Sequence, residues 1–364
     1  QGRPFFGICL GMQTLFQGSD ESPTLEGLGI IPARITRFQN ESGLTIPHIG
    51  WNGARQQQDS VCFSNVGPDD KVYFVHSFCA ALDTGVGAGD KWASEWALSY
   101  TNYGSQRYVS MVQKGAVVAC QFHPEKSGEV GLRILKNFCD SYARVDGASP
   151  QVALAPSPAV REAPTQLVKR IVACLDVREN DSGDLVVTKG DQYDVREAGS
   201  GEQGQRGGVR NLGKPVALCR DYFAGGADEV VFLNITSFRK GVLDDLPMLG
   251  VLEASSEHVF VPLTVGGGVR DHIDDQGRMH TALDIASRYF RAGADKVSIG
   301  GDVVEAVLAY RSSGERSGTS SVEQISQHYG AQAVVVSIDP KVCLSRRTPF
   351  FCSPPLLSLL SFPS

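Results

Sequence analysis

Apolar residues occur along the chain in short runs that end in small or polar residues, and the character of the runs changes near residue 150. Before that point, "KVYFVHSF" (71–78) and "GAVVACQF" (115–122) read as short strands, and "SGEVGLRILKNFCDSYA" (127–143) has the apolar spacing of a closing helix. Beyond residue 165, five nearly continuous apolar runs alternate with helical stretches: "RIVACLDV", "EVVFLNI", "VFVPLTVGGG", "DKVSIGG" and "AVVVSIDP". Strands buried on both faces and separated by helices predict a parallel α/β sheet, with spacing that suits a (β/α) barrel. The fold class expected is therefore α/β. Chemistry in such barrels sits at the C-terminal strand ends, so Asp176, Asn234, Gly266–Gly268, Gly300 and Asp339 should share one face.

Between the halves, "RVDGASPQVALAPSPAVREAPT" (144–165) is rich in Pro, Ala and Ser and reads as a linker. The expected organisation is a first domain over 1–143, the linker over 144–165, and the N-terminal part of a barrel over 166–341. A tail with neither helix nor strand period follows over 342–364. Only five barrel strands are counted before the tail, so an incomplete barrel is expected. The glycine-rich stretch 197–211 has the composition of a mobile active-site loop.

Chemistry enters at "FFGICLGMQ" (5–13), where Cys9 stands between Gly7 and Gly11 at the end of an apolar run. This G-x-nucleophile-x-G shape suits an elbow at which a strand turns sharply into a helix. An ordinary buried thiol is the alternative. A cysteine nucleophile needs a base and an orienter, and "CQFHPEKSG" supplies His123 and Glu125 two residues apart. If the strand continues through them, both side chains leave on one side. In the second half, Asp176 and Asp339 end two strands as a candidate acid/base pair, with helix capping as the alternative. The glycines of "PLTVGGGVRD" and "KVSIGGD" expose backbone N–H groups to an anion, which favours phosphate over plain tight turns.

Composition narrows the classes. The 364 residues are 42% hydrophobic and carry a formal charge of −6, which supplies no basic stripe for nucleic acid. No apolar run is long enough to span a bilayer. Nine scattered cysteines without C-x-x-C pairs read as reduced thiols of a cytoplasmic protein, not as a zinc site or disulfide scaffold.

Taken in order, "PHIGWN" (47–52), "YFVHSF" (73–78) and "CQFHPEKSG" resemble class I glutamine amidotransferases, and in particular the glutaminase part of the imidazole glycerol phosphate synthase family. The runs "KRIVACLDV", "VTKGDQYDVRE", "GADEVVFLNITSF", "FVPLTVGGGVRD", "GADKVSIGGD" and "AVVVSIDP" resemble the cyclase part of that family in its fused form. The resemblance implies that Cys9 attacks the glutamine carboxamide, with His123 as general base and acid and Glu125 as its orienter. It places "PHIGWN" and "YFVHSF" near the domain contact without making His48 or His76 part of the triad. It assigns Asp176 and Asp339 to cyclisation of phosphoribulosyl-formimino-aminoimidazole carboxamide ribotide, a bis-phosphorylated substrate. It puts Lys189 on a covering loop, Asn234 in substrate contact, and Gly268, Gly300 and Gly301 at one phosphate. Arg170, Glu229 and Lys296 then ring the N-terminal mouth where ammonia enters, a salt-bridge ring being the plain structural alternative. Neither a metal nor an organic cofactor is implied. The expected compartment is the cytoplasm, or a plastid. The glycine-rich oxyanion loop and the later barrel strands of the family are not found in the sequence, so the alternative expectation is a truncated, catalytically incompetent fragment that keeps the domain contact and one phosphate surface.

Overall fold

In the first half the strands pair largely as antiparallel ladders, because short connections carry one strand back beside the last. The computed structural model describes residues 3–82, 91–142, 165–179, 185–188, 214–235, 246–273 and 277–338. The expected linker up to 164, the glycine-rich stretch 197–211, Lys189, Asp339 and the tail lie outside these residues.

The first domain runs β1 (Phe5–Ile8), α1 (Leu10–Gln13), β2 (Phe16–Ser19), β3 (Ile31–Arg37), β4 (His48–Asn52), β5 (Arg55–Gln56), β6 (Val72–His76), β7 (Phe78–Cys79), β8 (Ala97–Tyr103), β9 (Gln106–Lys114), β10 (Val117–Cys120) and α2 (Gly128–Tyr142). Its main sheet has the order β1-β10-β9-β8-β5, and only the β1–β10 pair in it is parallel. That pair matters most: it lays Ile8 beside Cys120, so the two chemistry-bearing segments leave the sheet side by side.

A separate β4–β6 ladder pairs His48 with His76, Gly50 with Phe74 and Trp51 with Tyr73. Because a strand's side chains alternate, this ladder has two different faces. His48, Phe74 and His76 form one aromatic cluster with Phe38, Tyr103 and Tyr108. Ile49, Trp51, Tyr73 and Val75 instead join the apolar core of the second domain. The ladder is thus the joint between domains.

The second domain runs β11 (Val172–Glu179), β12 (Leu185–Thr188), α3 (Pro215–Ala224), β13 (Glu229–Asn234), α4 (Leu246–Ser256), β14 (Leu263–Gly266), β15 (His272–Ile273), β16 (Met279–His280), α5 (Ala282–Arg291), β17 (Lys296–Ile299), α6 (Gly301–Ser313), α7 (Ser321–Tyr329) and β18 (Val334–Val336). All five expected strands are present and parallel, in the order β11-β13-β14-β17-β18, with β12 added antiparallel beside β11. The sheet is open among the described residues. Capping boxes at Thr281/Asp284 and Ser320/Glu323 fix where α5 and α7 begin, each satisfying N–H groups that a helix start leaves bare.

The two faces of this sheet differ in chemistry. Leu175, Val177, Val230, Phe232, Leu263, Val265, Val297 and Ile299 form the buried apolar face, and each such side chain contributes roughly 1.5–3 kcal/mol when fully buried. The register places Cys174, Asp176, Glu229, Thr264, Gly266, Lys296 and Ser298 on the other face. Polar and small residues, interspersed with Val172, Val231 and Leu233, therefore occupy this second face.

Candidate active site

Cys9 adopts φ 48° and ψ −101°, directly between β1 and α1. A side chain with a Cβ rarely takes a positive φ, and strain of this kind is held where the surrounding structure demands it. Here the demand is visible: Cys9 N–H donates to Cys120 O at 2.7 Å, and the Cys9 carbonyl accepts from Met12 and Gln13. A Cβ on Gly7 would lie 2.7 Å from the Gly11 carbonyl oxygen, so the elbow closes only with glycine at that position. The expected strand–turn–helix elbow is what the chain forms.

His123 Nδ1 lies 2.7 Å from Glu125 Oε1, and Cys9 stands near enough to the same ring to raise its titration. The means differ from the expectation of a continued strand. β10 stops at Cys120, and Pro124–Lys126 form a 3-10 turn with Pro124 at its start. The fixed φ of proline suits the first position of a helical turn, and it is this turn, not strand alternation, that brings Glu125 back to His123. Ser127 ties the turn down, donating to the His123 carbonyl at 2.6 Å and accepting from Tyr73 N–H at 2.9 Å.

At the domain joint, Lys126 pairs with Asp295 at 2.9 Å, Gly128 N–H donates to Phe260 O at 2.9 Å, and Trp51 Nε1 donates to Asp228 O at 3.3 Å. Beneath Tyr73 lies the charged cluster. Glu229 Oε2 accepts from Lys296 Nζ at 2.8 Å and from Arg170 at 3.0 Å, while Thr264 donates to Glu229 Oε1 at 2.8 Å. The Lys296 ammonium sits 5.8 Å from the centroid of the Tyr73 ring. Burial draws Lys296 below the ordinary lysine value, and Glu229 opposes that fall. Arg170, Glu229 and Lys296 thus meet at the N-terminal edge of the sheet.

Residues 1–141 match the family "Glutamine amidotransferase class-I" and residues 170–346 match "Histidine biosynthesis protein". The chain joins a class-I glutamine amidotransferase domain to a histidine biosynthesis protein domain. It is 50% identical over 339 residues to "Imidazole glycerol phosphate synthase hisHF, chloroplastic" of Arabidopsis thaliana, covering 93% of this chain and 53% of that protein. The hisHF protein of Emericella nidulans is 49% identical over 345 residues, again 93% of this chain and 60% of the relative. The amidotransferase domain alone is 45% identical over 143 residues to a HisH subunit from a Synechococcus strain, covering 39% of this chain and 62% of the subunit. The chain spans 53% and 60% of the lengths of those two fused relatives.

In the histidine-biosynthesis domain, Asp176 is half-buried near the C-terminal end of β11, in register with Thr188 and Leu233. Asn234 is in register with Val177, one residue out of phase with Asp176, and is buried on the parity of Val230 and Phe232. Both stand near the C-terminal ends of their strands, on opposite faces of the sheet. Gly268 has φ 70°, and Gly300 and Gly301 form the start of α6. Gly300 and Gly301 also line a cavity of about 420 Å³ whose remaining wall is largely apolar. No helix among the described residues is long and apolar enough to cross a membrane, and no group of three or more candidate metal ligands occurs among them.

Two neighbours of Cys9 are not singled out by sequence reasoning. Gln121 Nε2 donates to Cys9 Sγ at 3.4 Å, and Gln13 Nε2 donates to Gln121 Oε1 at 3.1 Å. Gln121 lies inside the "CQFHPEKSG" motif and Gln13 closes "FFGICLGMQ", and these were the available signals.

Electrostatics of the triad give a test. Burial depresses the His123 imidazole, but hydrogen bonds and charge from Cys9 and Glu125 outweigh it and raise the group to about 10. An unfolded histidine titrates near 6.5, so the native state holds this proton more tightly. Its stabilising contribution is complete below about pH 6.5 and is lost as pH rises toward about 10. A proton NMR titration of His123 should show a midpoint near 10. A midpoint near the ordinary value would mean that the imidazolium is not held by its two neighbours.

Proposed function

We propose that the amidotransferase domain hydrolyses glutamine and delivers the ammonia through the charged mouth of the second domain. There it enters the synthesis of imidazole glycerol phosphate and aminoimidazole carboxamide ribotide from phosphoribulosyl-formimino-aminoimidazole carboxamide ribotide. Cys9 attacks the carboxamide carbon and forms a glutamyl thioester; His123 protonates the departing ammonia and then activates water; Glu125 holds the ring. Asp176 and Asp339 exchange protons during cyclisation. Lys189 covers the substrate, and the backbone at Gly268, Gly300 and Gly301 receives a phosphate. The proposed activity is that of the fused relatives' printed name, and the setting we infer is the cytoplasm, the chloroplastic label belonging to the Arabidopsis protein.

The single observation that carries this reading is the position of Tyr73 between the two centres. Its carbonyl accepts His123 N–H at 2.9 Å, while its ring faces Lys296 of the mouth. From Glu229, which pairs with Val172, the polar face reaches Asp176 over four residues of strand, about 13 Å. Glutaminase and cyclisation centres therefore bracket one short path.

The test breaks the mouth and leaves both centres intact. Glu229→Gln removes the carboxylate that neutralises Lys296, and breaking such a buried pair costs about 3–5 kcal/mol. Glutamate and cyclised product should form one for one in the unaltered protein, and glutamate should exceed product in the variant while added ammonia still supports turnover. A variant that keeps the one-to-one ratio would remove the mouth from the path of ammonia.

A further inference from the structure

The histidines of "PHIGWN" and "YFVHSF" lie outside the triad, yet both are buried and joined to one another through Tyr108. Tyr108 Oη is 3.0 Å from His48 Nδ1 and 3.3 Å from His76 Nε2, and His76 Nδ1 is 2.9 Å from the Phe78 carbonyl oxygen. A carbonyl only accepts, so His76 must donate through Nδ1. Both rings are kept neutral, His76 lowered to about 3 and His48 well below its ordinary value, burial being the main cause in each. In a neutral ring the second nitrogen is a bare lone pair, so Tyr108 donates to His76 Nε2 and accepts from His48 Nδ1. His48 Nε2 is then also bare. It is the end of the series, with no hydrogen-bond partner among the described residues, packed between the Phe74 and Tyr103 rings, which stack on it at 5.0 and 4.1 Å. The proton order of the whole series is fixed from the Phe78 end.

The same Phe78 carbonyl accepts a second bond, from Gln13 Nε2 at 3.1 Å. The other hydrogen of that amide goes to Gln121 Oε1. An amide has one acceptor end and one donor end, so holding Gln121 Oε1 on Gln13 leaves Gln121 Nε2 turned toward Cys9. Gln121 is fully buried and cannot exchange this arrangement for water.

We propose that Gln121 is a thiolate-stabilising residue of the glutaminase reaction, and that His48, Tyr108, His76 and Gln13 are positioning residues that keep its N–H, and not its oxygen, on Cys9 Sγ. This rests on the reading of Cys9 as the nucleophile. An N–H directed at sulfur favours the thiolate, which is the attacking form, over the thiol. The reverse orientation would set an oxygen against it and repel the charge.

The experiment is alkylation by iodoacetamide at neutral pH, followed cysteine by cysteine by peptide mass spectrometry. Exposed Cys139 and Cys174 serve as references, and buried Cys62 and Cys120 report any loss of fold. Gln121→Leu should slow alkylation of Cys9 about 10-fold, the effect of one hydrogen bond to a charged group. His76→Leu should slow it about 3-fold through loss of orientation, whereas His76→Asn, which keeps a donor near the Nδ1 position, should recover most of the rate. Glutamine turnover should lose kcat in step, with KM little changed. A Cys9 rate unaltered in Gln121→Leu overturns the proposal, and so does a His76→Asn protein as slow as His76→Leu. If Gln121→Leu labels at Cys62 and Cys120, the two His76 variants decide. His123→Ala separates the two readings: a Cys9 rate indifferent to His123 removes the triad, while the comparison at Gln121 still stands.

Discussion

Replacing Cys9 by alanine removes glutamine-dependent glutamate formation, by about 10⁴-fold or more, and leaves ammonia-supported turnover of the nucleotide substrate at its original rate. The first half follows from the elbow. Cys9 is the thiol that the turn lifts out of the sheet and sets beside His123, whereas Cys62, Cys79 and Cys120 are buried and their thiols pushed up by that burial. None of those three offers a substitute nucleophile. The second half follows from the division of the chain, since the polar face carrying Asp176 belongs to another sheet. Alanine keeps a Cβ, so the positive φ is no more strained than before and the fold should persist. Measuring glutamate release and ammonia-dependent turnover on one preparation checks both halves. Loss of both activities in a folded variant would show that the two centres are not chemically separate.

The parallel strands of the second domain were legible because each is apolar through its length and ends in Asp, Asn or Gly, a pattern set by burial on both sides. The elbow was legible for a different reason: Gly7, Cys9 and Gly11 encode a local backbone demand, and nothing distant is needed to read it. Contacts closed over long sequence separations were not legible. Gln13 reaches Gln121 across 108 residues, and Gln121 reaches Cys9 across 112. Their meeting depends on β1 lying parallel to β10, which no local pattern announces. His123 and Glu125 show the intermediate case. Their pairing was readable from proximity, conditional on the strand continuing; the chain makes it with a turn instead, since Pro124 permits both an extended predecessor and a helical successor. Asn234 was legible as the end of β13; its register, opposite Val177 of β11, is set by strand pairing that no local pattern announces.

Changing Asp176 to asparagine should lower nucleotide cyclisation about 10²- to 10⁴-fold, equally with glutamine or ammonia as nitrogen source, because proton transfer by a positioned carboxylate contributes on that order. Asp176 stands on the polar face near the C-terminal end of β11, and Cys174 lies on that face of β11 between it and Val172, the partner of Glu229 on β13. The Cys174 thiol registers this setting, raised first by burial and then by the negative charges of Asp176 and Glu229. A carboxylate placed there can accept a proton from a substrate held at the strand ends; an amide of the same shape cannot. Since Asn preserves volume and hydrogen bonding, the variant should melt within a few degrees of the parent. Glutamate release should remain within a few-fold of normal, because Cys9, His123 and Glu125 are untouched. Steady-state rates with saturating ammonia decide the matter. If they stay near normal, Asp176 is a structural strand-end residue and the acid/base work lies elsewhere on the polar face.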